Sequence, residues 1–237
     1  MPPYDEMESI LGSHLLLFMP KDIVSGDFYW VKGTFEHFAL VVADCTGHGV
    51  HGGFMSMMGL TFVAEAHKNP INITPQDRLK DIHLHFTNTL KLEKKGTSFT
   101  SGMDIAICEV NRSKGTVCFA GTGLPVYVLT KEGDTVILKK YKSGTKPVGS
   151  PWFSPNVPIH EVKVKPGDKV LIATDGAFDQ LSVVNRKRFS RKRFEELLKS
   201  TSHLTLTEQK ELILAELARW QGSGIQTDDI TFVGFVV

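Results

Sequence analysis

From Gly102 to Ala173 short apolar runs follow one another through turn residues, with no helical stretch among them. Met103 to Val110 alternates and returns as Thr116 to Ala120 across Asn111-Arg112-Ser113-Lys114-Gly115. Pro125 to Thr130 and Thr135 to Lys140 pair across Lys131-Glu132-Gly133-Asp134, and Ile159 to Val164 joins Lys169 to Ala173 through Pro166-Gly167-Asp168. Upstream, His14 to Met19 reads as a strand ended by Pro20, and Gly26 to Val31 and Glu36 to Asp44 form a hairpin around Gly33-Thr34. Ile230 to Val237 closes the chain as a buried strand. Helical patterns are grouped instead of alternating with strands: Gly52 to Lys68, Thr74 to about Lys94, Phe194 to Leu198 and Leu206 to Trp220. Such an order rules against a doubly wound sheet. The expected fold is α+β: a four-layer α-β-β-α sandwich, two antiparallel sheets flanked by helices.

The 237 residues, 41% of them hydrophobic, suffice for one sizeable core. Residues 1–12 read as a lead-in or a linker from an upstream region, and 13–237 as the domain. A net charge of +1 sets up no global field toward nucleic acid or an anionic membrane. No apolar run approaches the roughly 20 residues that span a bilayer. Cys45, Cys108 and Cys118 lack CxxC spacing, which argues against a disulfide framework or zinc and fits a reducing cytoplasm. In the first long helix Phe54, Met57, Met58, Thr61, Phe62 and Ala66 read as the core face. His83 and His85 read as packing or surface residues, Lys139, Lys140 and Lys142 as protection of an edge strand, and Arg186 to Arg193 as a solvated helix start.

Four aspartates punctuate strand ends: Asp27, Asp44, Asp175 and Asp228. Asp44 stops the apolar run Val41-Val42-Ala43 and opens the glycine-rich turn Cys45-Thr46-Gly47-His48-Gly49, where backbone can approach a ligand closely. Taken alone, Asp44 is equally a helix cap. The hairpin, however, sets Asp27 alongside it, and two carboxylates at one sheet edge repel unless a cation or a proton lies between them. All-oxygen donors favour Mg²⁺ or Mn²⁺ over zinc. Two such ions about 3.5–4 Å apart can activate water and clamp a phosphoryl oxygen.

Four motifs occur in order: Pro20-Lys21-Asp22-Ile23-Val24-Ser25-Gly26-Asp27-Phe28-Tyr29-Trp30, Asp44-Cys45-Thr46-Gly47-His48-Gly49, Thr174-Asp175-Gly176 and Asp228-Asp229-Ile230-Thr231. The series resembles that of the metal-dependent protein phosphatases (the PPM, or protein phosphatase 2C-like, superfamily), in the bacterial branch of sporulation protein E and RsbU. The resemblance implies a protein serine/threonine phosphatase with a two-ion Mg²⁺ or Mn²⁺ centre. It implies that Asp44 bridges both ions, that the Cys45 carbonyl ligates one of them, that Asp175 and Asp228 hold the first ion and that Asp27 holds the second. Asp229 is read as a supporting or capping residue. The resemblance also implies a phosphorylated STAS-domain anti-sigma-factor antagonist as substrate, and it makes a homodimer plausible. The catalytic set is then Asp44, Asp175 and His48, with His48 either a general acid or a residue that orders the turn, and Lys21 is a candidate phosphate contact. Val50-His51-Gly52-Gly53 departs from the branch pattern, and Gly121-Thr122-Gly123-Leu124-Pro125 lacks the acid that holds a third metal in eukaryotic relatives. The competing reading is a binding module that keeps the fold and performs little or no catalysis.

Overall fold

The computed structural model describes residues 1–68, 73–90 and 101–237. Part of the expected loop Asn69 to Pro75, the end of the helix expected to reach Lys94 and most of the polar stretch Lys91 to Ser101 lie outside the described residues. The order is α1 (Tyr4–Leu11), β1 (His14–Met19), β2 (Asp27–Gly33), β3 (His37–Cys45), α2 (Gly49–Ala66), α3 (Pro75–Leu90), β4 (Met103–Asn111), β5 (Thr116–Thr122), β6 (Val126–Glu132), β7 (Thr135–Tyr141), β8 (His160–Lys163), β9 (Lys169–Ala173), α4 (Gly176–Asp179), α5 (Arg191–Ser200), α6 (Leu206–Gln221) and β10 (Ile230–Val236).

The strands form two antiparallel five-stranded sheets, ordered β1-β10-β9-β6-β7 and β2-β3-β4-β5-β8. Alternation divides their side chains between two faces. On β3, Leu40 and Val42 join Val233, Ile172 and Val128 of the other sheet in a core between the sheets. Val41 and Ala43 turn the opposite way, onto α2 and α3. Leu171, Phe232 and Tyr127 cover the outer face of the first sheet, under α4, α5 and α6. The layers are thus helix, sheet, sheet, helix, as expected, with hairpins at β2–β3, β4–β5 and β6–β7. β7 lies at a sheet edge, and Lys140 on it pairs with Glu195 of α5 at 2.5 Å.

Helix α1 packs Met7, Ile10 and Leu11 into the core between the sheets. Its C-terminal carbonyls end on Arg112, whose guanidinium donates to Ile10, Leu11, Phe35 and Val236 oxygens and lies 4.0 Å from the Phe35 ring centroid. A helix's last carbonyls lack intrahelical partners, and here one side chain satisfies two of them. Helix α6 opens with a capping box, in which Thr205 and Glu208 exchange side-chain and backbone bonds.

Helix α2 departs from expectation on its inward face. Phe54 and Met57 are 63% and 67% exposed. The side buried against the second sheet carries Gly52, Met55, Ser56, Gly59 and Val63. The helix is apolar nearly all round, so periodicity could not say which side faces in. Close approach decides it. A Cβ on Gly59 would stand 2.8 Å from the Phe28 ring and 3.1 Å from Met103 Sδ, so only small residues fit there. The helix also begins three residues before the expected Gly52, with His48 as its N-cap. His83 and His85 are packing residues: His83 stacks on Phe153 and accepts from the Gly149 N–H at 3.2 Å, and His85 stacks on Phe62. The basic run is mostly loop. Helix α5 starts only at Arg191 with Ser190 as cap; Arg188 pairs with Asp179 at 2.6 Å, and Arg193 lies over Trp220.

Candidate metal centre

The β2–β3 register sets Asp27 directly opposite Asp44, and the β3–β4 register sets Asp44 directly opposite Asp104. Opposed residues in a sheet share a face and bring their Cβ atoms to about 4.5–5.5 Å. Counting by twos from Leu40 and Val42, which point into the core between the sheets, puts all three carboxylates on that same face at one end of the strands. The other sheet ends there too. β9 runs out at Ala173 into Thr174-Asp175, and Asp228-Asp229 lead into β10. The charges of Asp175 and Asp228 act on Asp44, and that of Asp228 on Asp175.

Burial and mutual repulsion govern the chemistry of this cluster. Burial, with the charges of Asp27, Asp175, Asp228 and Asp104 behind it, pushes the Asp44 carboxyl up to about 10. Burial pushes Asp27 up to about 7, against the hydrogen bond from the Thr174 hydroxyl at 2.8 Å. Asp104 rises to about 6 through burial and the charge of Asp175. Asp175 is raised as well, by burial and then by Asp228. Without a counter-charge, the folded chain therefore holds protons among these acids at neutral pH.

The surrounding turns are pinned. Gly47 and Gly49 have φ of 93° and 63°, in the left-handed region where a side chain is strained. Thr46 is tied to Gly102, ahead of β4, by its N–H and its hydroxyl, each 2.9 Å from the Gly102 carbonyl oxygen. The loop from Pro20 to Gly26 crosses from one sheet to the other and is held by Asp229, which accepts from the N–H groups of Lys21 at 2.7 Å and Gly26 at 2.8 Å. A Cβ on Gly26 would stand 2.6 Å from the Gly47 oxygen and 3.2 Å from the Cys45 oxygen, so the two loops touch backbone to backbone.

The structure places the sequence candidates unequally. Asp27, Asp44, Asp175 and Asp228 gather at one end of the sandwich. Asp229 is 3% exposed and spends both oxygens on the loop. Cys45 is buried, and its N–H donates to the Gly26 oxygen. His48 is exposed, with Nδ1 3.0 Å from Asp22 Oδ2, and so ties the turn to the loop opposite. Lys21 lies half-buried at the loop's start. Asp104 was missed, because inside an alternating run it reads as an ordinary solvent-facing position. Its placement one residue into a strand, as with the other acids at strand ends, was the available signal.

The donors suit a hard divalent cation by kind: they are carboxylate oxygens in mutual repulsion, and one of them, Asp104 Oδ1, is buried without any hydrogen-bond partner. Among the described residues no three His, Cys, Asp or Glu side chains are already closed around a point as ligands. The fit is therefore one of donor type and charge.

An α-β-β-α sandwich with carboxylates gathered where both sheets end is the plan of a PP2C-like phosphatase domain. The chain belongs to the family described as Stage II sporulation protein E (SpoIIE), which it matches over residues 35–236, and it is homologous to PP2C-like serine/threonine phosphatase domains. Among solved structures it is similar to the SiaA-PP2C domain of Pseudomonas aeruginosa, with 28% identity and a TM-score of 0.87 over 99% of this chain and 90% of that one. The RsbU and RsbW domains of a Mycobacterium tuberculosis protein share the fold at 18% identity and a TM-score of 0.73, over 95% of this chain and 60% of that one. RsbX in complex with magnesium does so at 18% identity and a TM-score of 0.60, over 94% of each chain. Comparison with curated protein sequences gives no match. Among the described residues no helix is long and apolar enough to cross a membrane.

Proposed function

We propose that this phosphatase domain depends on two Mg²⁺ or Mn²⁺ ions and removes phosphate from phosphoserine or phosphothreonine of a STAS-domain anti-sigma-factor antagonist, in the cytoplasm. The observation that carries the metal reading is the direct opposition of Asp27 and Asp44, with Asp175 at the end of the other sheet close enough for its charge to act on both. Carboxylates this close together, one of them buried and two half-buried, need positive charge to ionise together. What supports the partner reading is the likeness of fold to a protein that carries RsbU and RsbW domains.

Asp44, central in the row, would bridge the two ions. Asp175 and Asp228 with the Cys45 carbonyl would complete one side, and Asp27 the other. Divalent cations bound there supply a Lewis-acid clamp for phosphoryl oxygens and lower the pKa of water. The chain's own residues do the remaining work. Thr174 orients Asp27 by its 2.8 Å hydrogen bond. Asp229 fixes the backbone at Lys21, whose ammonium at the rim would meet a phosphate oxygen. Asp22 engages His48 at Nδ1, so Nε2 is the nitrogen that would pass a proton to the leaving serine or threonine oxygen. A homodimer would set the orientation of the domain on its partner protein.

The test pairs the protein with phosphorylated STAS-domain proteins from its own cell in the presence of Mn²⁺. One of them should lose phosphate, and neither Asp44→Ala nor Asp175→Ala should release any. Release by both variants would overturn the site assignment. A folded wild-type protein that binds the phosphoprotein and releases nothing would turn the reading to a binding module.

A further inference from the structure

The row of acids across β2, β3 and β4 does not stop at Asp44. Asp104 occupies the next position in register, on the same face between the sheets. Its surroundings are shaped around its carboxyl group. Thr122, the last residue of β5, is 1% exposed, and its hydroxyl donates to the Met103 carbonyl oxygen next to Asp104 at 3.4 Å. Gly123, the next residue, has φ 65°, and a Cβ there would stand 2.1 Å from Asp104 Cγ. Any other residue at 123 would displace the carboxyl group. One of its oxygens, Oδ1, is buried and accepts no hydrogen bond. Burying a carboxylate oxygen with no donor is unfavourable, and a carboxyl group serving the fold alone would be expected to have both oxygens satisfied, as Asp229 has.

We propose that Asp104 is a further donor of the centre, its carboxyl group given room by the Gly123 turn so that Oδ1 faces a divalent cation beside Asp44. Gly123 is a positioning residue: its missing side chain leaves the space that the carboxyl group fills. The proposal rests on the metal-dependent reading above and adds to it a donor that the aspartate motifs do not contain.

Calorimetric titration with Mn²⁺ alone, together with the rise in melting temperature on adding Mn²⁺, tests it on purified wild type, Asp104→Asn and Gly123→Ala. Asp104→Asn is close to isosteric, and its metal-free melting curve reports whether it is folded. The expected result is an affinity lower by about tenfold or more for Asp104→Asn, with a correspondingly smaller Mn²⁺-induced rise. Gly123→Ala should show the same loss although it removes no donor. Wild-type affinity and stoichiometry in folded Asp104→Asn would overturn the role of Asp104 and leave the phosphatase reading standing. A wild-type protein that binds no Mn²⁺ would overturn both.

Discussion

Asp229 and Gly26 are 203 positions apart in the chain, yet the Asp229 carboxylate accepts the Gly26 N–H at 2.8 Å. The same carboxylate takes the Lys21 N–H at 2.7 Å, so one side chain at the start of the last strand shapes the loop that delivers Asp27. Asp229→Ala leaves both N–H groups without an acceptor. At about 1–3 kcal/mol for each buried unsatisfied group, the melting temperature should fall by roughly 5–15 °C. Asp229→Asn, which keeps one acceptor oxygen, should lose less. Calorimetry on the three proteins checks the ranking, and equal melting temperatures would contradict it.

Asp44 is expected to oppose stability in the absence of metal. Its folded-state pKa of about 10 lies far above the ordinary 3.8. The folded chain therefore keeps a proton that the unfolded chain has lost, and stability falls as pH rises toward that value. Asp27, raised to about 7, acts in the same sense at lower pH. Between pH 7 and pH 9 the metal-free protein should lose stability at up to about 1.4 kcal/mol per pH unit. Asp44→Asn should be more stable than wild type without metal, show a flatter pH dependence and release no phosphate. Urea midpoints at pH 7, 8 and 9 measure this; a destabilised Asp44→Asn would refute it.

His67 carries the opposite sign. Burial, then the nearby Arg78, pushes its imidazole down to about 3, and its Nδ1 lies 2.7 Å from the Val63 carbonyl. The unfolded histidine takes up a proton near pH 6.5 and the folded one does not, so stability from this residue is lost as pH falls from about 6.5 toward 3. The acids of the centre act against this trend. The measurable quantity is the difference between wild type and His67→Asn, which should change in favour of the variant between pH 7 and pH 5. A constant difference would show that His67 does not titrate on unfolding.

Gly52 lies within the first turn of α2, and a Cβ there would stand 2.3 Å from the Gly47 carbonyl oxygen and 3.1 Å from Gly26 Cα. Alanine gains about 1 kcal/mol over glycine within a helix. Overpacking against backbone costs about 1–3 kcal/mol, so Gly52→Ala should be destabilised overall. Because the strain falls on the two loops that touch at the centre, phosphate release should drop by more than the loss of folded protein explains. Steady-state assays on protein confirmed folded by circular dichroism decide this.

The fold was legible because its signals are local. Asn111 to Gly115 and Lys131 to Asp134 announce the β4–β5 and β6–β7 hairpins, and helical patterns grouped apart from the strands argue for antiparallel sheets. The centre was legible as far as strand ends mark it, at Asp27, Asp44, Asp175 and Asp228. What escaped depends on neighbours brought in from elsewhere. Asp104 becomes part of the row only when β4 settles against β3 in one register, and a slip of one residue would turn it to the opposite face. The inward side of α2 escaped for a related reason: Phe54 and Met57 are the larger apolar side chains, but Gly59 lies against the Phe28 ring and Gly52 against the Gly47 and Gly26 backbone, where no side chain fits. Asp229, read as a supporting residue, takes up its two N–H groups only because the Pro20 to Gly26 loop crosses it.

The contacts of Arg112 bear on how the polypeptide could be rewired. It touches the end of α1 and the end of β10 together, and His14 stands opposite Phe235 in the first sheet. The tail thus leaves beside Ser13 at one end of β1, while Met1, at the far end of α1, lies beside Phe18 and Pro20 at the other end of that strand. A rearranged gene that starts at Asp134, stops at Gly133 and bridges the old termini with a glycine-serine tether the length of β1 would preserve every strand pairing, since the cut falls in the open turn between β6 and β7.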